Sequence, residues 1–203
     1  MRATEKEPAD LYYKDFDNNG SIDPIICFFI QGTSYPYVTR KELITQIPRM
    51  EQKFPDFNSY ADATIQDVFT DLELKDAGHL TANYSRTTYF EQDAEGKFYD
   101  KGLPIEAQYA PVFTLNVLDY NRDGNKDLLL CGNINKARIR FGKYDANYGL
   151  LLKGNGRGGF QTIEQYRSGF KLKGDIRSSL VLNDKILFGI NNQEIKAYRM
   201  SNH

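Results

Sequence analysis

Two nine-residue stretches space their oxygen-bearing side chains as a loop around a hard cation would. Residues 15–23 offer Asp15, Asp17, Asn19, the Ser21 carbonyl and Asp23. Residues 119–127 offer Asp119, Asn121, Asp123, the Asn125 carbonyl and Asp127. Calcium prefers six to eight oxygen ligands at about 2.3–2.6 Å, and in loops of this kind they come from alternate positions. Glycine at the sixth position, Gly20 and Gly124, permits the sharp turn. Each loop carries three carboxylates, which repel one another unless a cation neutralises them. Asp, Asn and Gly also build ordinary exposed turns. A shared register in two places favours metal, so two structural calcium sites are expected.

The EF-hand is excluded by position twelve, where that motif needs a bidentate Glu. Here it is Ile26 in one loop and Leu130 in the other. Both belong to short apolar runs that read as buried strands.

The loops also set a repeat. A shift of 104 positions carries Asp15 onto Asp119, Gly20 onto Gly124, Asp23 onto Asp127 and Cys27 onto Cys131 without a gap. A second repeat matches residues 89–98 to residues 151–160. Each is a strand end, a Gly-bearing turn and an aromatic, Phe98 or Phe160, that opens a return strand. Residues 179–192 form a third, degenerate copy without the carboxylate ladder, with a last strand over residues 193–200. No metal is expected there.

Residues 39–54 break the β rhythm, with Leu43, Ile44, Ile47, Met50 and Phe54 at helical spacing. Thr39 and Glu42 form a capping-box signature, and Pro48 ends or kinks the helix. Residues 61–74 are a second helical candidate. A small helical insertion over about residues 33–78 therefore interrupts one repeat.

Composition sets the frame. The 203-residue chain has 40% hydrophobic and 26% charged residues, ordinary for a globular protein, and a net charge of −1 that gives no reason to expect a nucleic-acid partner. Its 14 Tyr and 13 Phe against no Trp favour pleated sheets, so the fold class is mainly β. No apolar run is long enough to insert into a membrane, and the first residues lack a signal-peptide hydrophobic region.

Cys27 and Cys131 read as small buried hydrophobes, and His79 and His203 have no metal-type neighbour in sequence. Residues 154–159 lack the Lys-Ser/Thr of a phosphate loop and read as a repeat turn. Tyr35, Pro36, Tyr37 and the run from Tyr144 to Tyr148 are either loop aromatics or a ligand-facing surface.

The two acidic loops with their apolar strands, and the hairpins ending at Phe98 and Phe160, resemble the FG-GAP/VCBS repeat family, calcium-binding β-propeller repeats also found in integrin α-subunits. Residues 141–154 and 103–108 are similar to the C-terminal part of large VCBS-repeat surface proteins of Bacteroidetes. The resemblance implies four-stranded blades with calcium loops between strands, and a parent that is exported to the cell surface or periplasm. A closed propeller takes at least four blades. With two metal-bearing repeats and one degenerate copy, residues 1–203 are expected to be a single partial propeller segment of about three to four blades. Its open edges would be covered by the remaining blades of a longer chain or by a second copy.

The function expected is a non-enzymatic calcium-binding module for protein or glycan recognition or surface assembly. The other reading is a propeller-scaffold enzyme, a polysaccharide lyase or hydrolase. It needs convergent acid and base groups, and the dense carboxylates are better explained as metal ligands. No catalytic or ligand-binding residue is assigned.

Overall fold

Strand formation begins wherever the acidic loops end. In the computed structural model, which describes residues 3–200, 37% of residues lie in strands and 16% in helices, so the fold is mainly β. The chain divides into two compact units, Met1–Ser85 and Arg86–His203.

In the first unit β1 (Ala9–Lys14) and β2 (Asp23–Ile30) are antiparallel, and the first acidic loop joins them. Strand β3 (Thr33–Pro36) pairs with β2, so the third strand of the sheet occupies the start of the expected insertion. Four short helices follow, α1 (Arg40–Gln46), α2 (Met50–Lys53), α3 (Ile65–Val68) and α4 (Asp71–Lys75). Thr39 caps α1 through the expected box with Glu42. The helical run breaks at Ile47 and Pro48, as the proline predicts, and resumes as α2. Capping boxes at Thr64 and Thr70 start α3 and α4, splitting the second helical candidate in two. Strand β4 (Gly78–Ala82) then returns to the far side of β1, giving the order β3-β2-β1-β4.

Alternation decides what this sheet buries. Ile25 and Cys27 face the helices and are fully buried with Leu43, Ile47, Met50, Val68 and Phe69. The opposite face carries Leu11 flanked by Ile26 and Leu80, the last two exposed.

In the second unit β5 (Thr88–Gln92) and β6 (Phe98–Gly102) form a separate two-stranded sheet. In this sheet β5 pairs with β6 alone. Their turn still matches the later one bond for bond. Asp93 Oδ1 accepts from the Glu95 and Lys97 N–H groups at 3.0 and 2.8 Å. Asn155 Oδ1 accepts from Arg157 and Gly159 at 2.8 and 2.9 Å.

Strands β7 (Val112–Leu118), β8 (Asp127–Gly132), β9 (Leu150–Gly154) and β10 (Phe160–Thr162) form an up-and-down sheet in that order. The second acidic loop joins β7 to β8. Because β8 is central, both of its faces are buried, and so is every residue from Asp127 to Gly132. One face packs with Leu103 and Ala107, the other with the three-stranded sheet β11 (Ile176–Leu182), β12 (Lys185–Ile190) and β13 (Lys196–Arg199). A one-turn helix, α5 (Gln165–Ser168), precedes that sheet. None of the four antiparallel sheets closes on itself.

Candidate metal centre

The first acidic loop is shaped by its own backbone hydrogen bonds. Asp15 accepts from the N–H groups of Asn19 at 3.0 Å and Gly20 at 2.8 Å. Asp17 accepts from Asn19 at 3.2 Å, and Asn19 Oδ1 from Ser21 at 2.8 Å. Asp23 Oδ2 accepts from Phe16 at 2.9 Å, which ties the loop's two ends together. Such a tight curl needs positive φ at Asn18 (59°) and Gly20 (88°), and glycine adopts the latter without strain.

Oxygens of Asp15, Asp17 and Asp23 thereby come within 4.8 Å of one another. At an effective dielectric near 20, two carboxylate charges at that distance repel by about 3 kcal/mol. Burial pushes the Asp23 carboxyl above the usual range, and Asp17 and Asp15 add to the push. The Phe16 N–H pulls the other way. Gln46 also faces Asp23, but its buried Nε2 has no partner at hydrogen-bond distance. No lysine or arginine among the described residues pairs with these three carboxylates. Three gathered carboxylates with no paired cation among the described residues are a donor set of the kind calcium takes.

The second loop repeats the backbone hydrogen bonds at the same shift, but among the described residues only Asp15, Asp17 and Asp23 gather as a metal-type cluster, and the expected set Asp119, Asp123 and Asp127 does not. Asp119 accepts from Asp123 at 3.1 Å and Gly124 at 2.9 Å, and Asp123 Oδ1 from Asn125 at 2.9 Å. Asp127 Oδ2 accepts from Tyr120 at 3.0 Å. Positive φ recurs at Arg122 (59°) and Gly124 (85°). Asn121 stands where Asp17 does, so the corresponding three places hold two carboxylates and an amide.

Two features of the second loop are absent from the linear motif. Asp127 is fully buried, and its Oδ1 accepts from the Gly154 N–H of β9 at 2.8 Å. A side chain at Gly154 would put Cβ 2.0 Å from the Lys126 carbonyl oxygen, so this approach requires glycine. Asp123 Oδ2 lies 3.0 Å from Lys153 Nζ and also accepts from Asn121 Nδ2 at 2.8 Å. Hydrogen bonds from Asn121, the Asn125 N–H and Lys153 hold its carboxyl down to about 2. No family model, curated protein or solved structure matches this chain.

The remaining candidates take structural positions. Cys27 and Cys131 are free and fully buried, and burial pushes both thiols up to about 12, which leaves them unreactive. His79 stacks on Tyr12 with ring centroids 4.5 Å apart and bonds Asp10 Oδ1 at 2.8 Å. Tyr35 pairs with Phe28 across β2 and β3, and Tyr37 packs edge-on against the same ring. Tyr144 and Tyr148 are exposed, while Asn147 between them is buried. Asn147 exchanges hydrogen bonds with Asn133, the backbone N–H to Asn133 Oδ1 at 3.0 Å and Asn133 Nδ2 to the Asn147 carbonyl at 2.6 Å. Sequence reading missed that knot, whose one local sign is an Asn just after a buried strand. Asn133 takes φ 86°, a conformation Asn tolerates better than most side chains.

Arg49 links the first loop to the helices. Its Nη2 donates to the Phe16 carbonyl at 3.2 Å and to Glu73 Oε1 at 2.6 Å. Burial opposes the charge on Glu73, but hydrogen bonds from Thr70 and Arg49 outweigh it and hold the carboxyl down to about 2. A depressed carboxyl contributes stability above its unfolded value near 4.5 and loses it as pH falls toward 2. Glu73→Gln is expected to flatten the acid limb of a plot of urea midpoint against pH. Parallel curves for the two proteins would assign Glu73 no such role.

Proposed function

We propose that this chain is a calcium-stabilised, non-enzymatic segment of FG-GAP/VCBS-type β-propeller blades, from an exported or surface-anchored parent. Its role in this reading is protein or glycan recognition, or assembly with neighbouring blades. The observation that carries the proposal is the first loop, where Asp15, Asp17 and Asp23 gather within 4.8 Å and no lysine or arginine among the described residues pairs with them. The second loop supports it by repeating the same backbone bonds at the same register. Calcium would be held by the carboxylates, by Asn19 or Asn121, and by the Ser21 or Asn125 carbonyl. It would act by tying the β1–β2 and β7–β8 turns, not by chemistry on a substrate.

The array reading has separate support. In the second repeat Leu103 and Ala107 cover Leu128 and Leu130. The equivalent face of the first sheet, at Ile26, is open. A blade within an array has neighbours on both faces.

Extracellular calcium modules work at a Kd of about 10⁻⁴ to 10⁻³ M. A tenfold excess of ion over Kd stabilises a site by about 1.4 kcal/mol. Millimolar Ca²⁺ is therefore expected to raise the melting midpoint, and a chelator to reverse the rise. Asp17→Ala combined with Asp123→Ala should remove most of the gain. If Ca²⁺ leaves melting unchanged in both proteins, the metal reading is wrong.

A further inference from the structure

One cavity of the second unit differs in charge from the rest of the chain. Its lining comes from the start of the second acidic loop, the end of α5 and the end of β13, and it holds about 430 Å³. Small-molecule sites span about 300–1,000 Å³. Over the whole chain basic and acidic residues nearly balance, 26 against 27. The cavity is lined by Arg122, Arg167 and Arg199 and, among the described residues, by no Asp or Glu. Asp119 and Asp123 flank the loop's contribution, but their carboxylates are engaged by the Gly124 and Asn125 N–H groups at 2.9 Å each, and Lys153 offsets the charge of Asp123.

Arg167 pairs with no carboxylate among the described residues. Arg199 meets Asp184 at 3.1 Å, with both side chains more than half exposed. An ion pair so exposed is weak and gives way readily to an incoming anion. Gly169 takes φ 72° and ends α5, so Arg167 stays exposed while Phe170 is buried three residues on. Phe170 and Tyr198 have ring centroids 5.2 Å apart, and the buried Leu151 and Ile186 complete an apolar floor. Two phenols also line the cavity. The Tyr120 hydroxyl has no hydrogen-bond partner among the described residues. The Tyr198 hydroxyl accepts from the Lys171 N–H at 3.3 Å and keeps its own proton to donate.

These groups match different parts of one ligand. Guanidinium groups suit a carboxylate, phenol hydroxyls suit alcohols, and an aromatic floor suits the C–H face of a pyranose ring. A fatty or aromatic acid would leave the phenol hydroxyls unmatched, and inorganic phosphate would leave the floor unused. We propose that this cavity binds a hexuronate residue of an acidic glycan. The inference names a ligand class for the recognition role above and rests on that role, but not on calcium.

Calorimetry on the intact chain in chelator tests it, with three ligands: a galacturonate trisaccharide, the neutral galactose trisaccharide and an Asp-rich peptide. The wild type should bind the uronate at least about tenfold more tightly than either of the others. Arg167→Gln should weaken uronate binding by about tenfold, the scale of one charge-assisted contact removed, and its exposure leaves the core untouched. Arg157→Gln, at an exposed position that does not line the cavity, should leave binding unchanged. Equal losses in the two variants would mean diffuse attraction to positive charge and would overturn the site. Peptide binding as tight as the uronate's overturns the glycan assignment. A neutral trisaccharide that binds as tightly as the uronate overturns the inference while leaving glycan recognition standing. Failure of all three ligands overturns the inference together with the glycan arm of the proposed role, and melting in Ca²⁺ tests the metal reading separately.

Discussion

Phe69→Ala is expected to unfold the first unit at markedly lower denaturant, with a loss of about 3–5 kcal/mol, the usual cost of emptying a buried aromatic site. Phe69 is fully buried and stacks on Phe16 with ring centroids 3.8 Å apart. It follows α3 directly and packs within a cluster that joins both layers of the unit. Phe16 is itself the second residue of the acidic loop, and its N–H holds Asp23. The cavity would therefore loosen a proposed calcium ligand, Asp23, as well as the core. Besides the lower urea midpoint, weaker calcium binding at the first loop is expected. Phe69→Leu, which keeps most of the volume, should cost far less. A Phe69→Ala protein within about 1 kcal/mol of wild type would mean that this ring does not pack as described.

Asp127→Ala should be nearly as severe, at about 2–4 kcal/mol, because it strands two backbone donors. The Tyr120 N–H of the loop and the Gly154 N–H of β9 both end on this buried carboxylate. A water could occupy part of the vacated space and bridge them, which sets the lower bound. Asp145→Ala, at an exposed position in the same unit, serves as the control and should change stability by no more than about 0.5 kcal/mol. Thermal melting in chelator separates this bracing role from any contribution as a metal ligand. If the loss appears only when calcium is present, Asp127 is a ligand and not a brace.

Much of this was readable from the chain because it is local. A nine-residue loop carries its own geometry, so the shift that matched Asp15 to Asp119 also matched their hydrogen bonds. Thr39 with Glu42, and the turns at Asp93 and Asn155, are likewise short-range patterns. Pairings between distant segments were not readable. Strand β4 pairs beside β1, and the β5–β6 hairpin stands as its own sheet, although its turn resembles the later one. Lys153 was overlooked because its meaning depends on the pairing of β8 with β9, which brings it opposite a loop it follows by 26 residues from Asp127. The propeller expected from the resemblance would be a matter of how blades sit together, which no single loop encodes, and the structure shows four antiparallel sheets, none closed.

Strand β4 has a consequence in chain entropy. Tyr12 meets Ile25 across a short hairpin, but it meets His79 only after the intervening helices are in place. Loop-closure cost grows as about (3/2)RT ln n, so the longer closure costs about 1.5 kcal/mol more than the hairpin if the intervening chain is fully flexible. The capped helices shorten that flexible length. Thr39, Thr64 and Thr70 each start a helix without help from distant residues. The insertion is thus the tether that lets an edge strand find its partner, and its threonine caps keep that tether short.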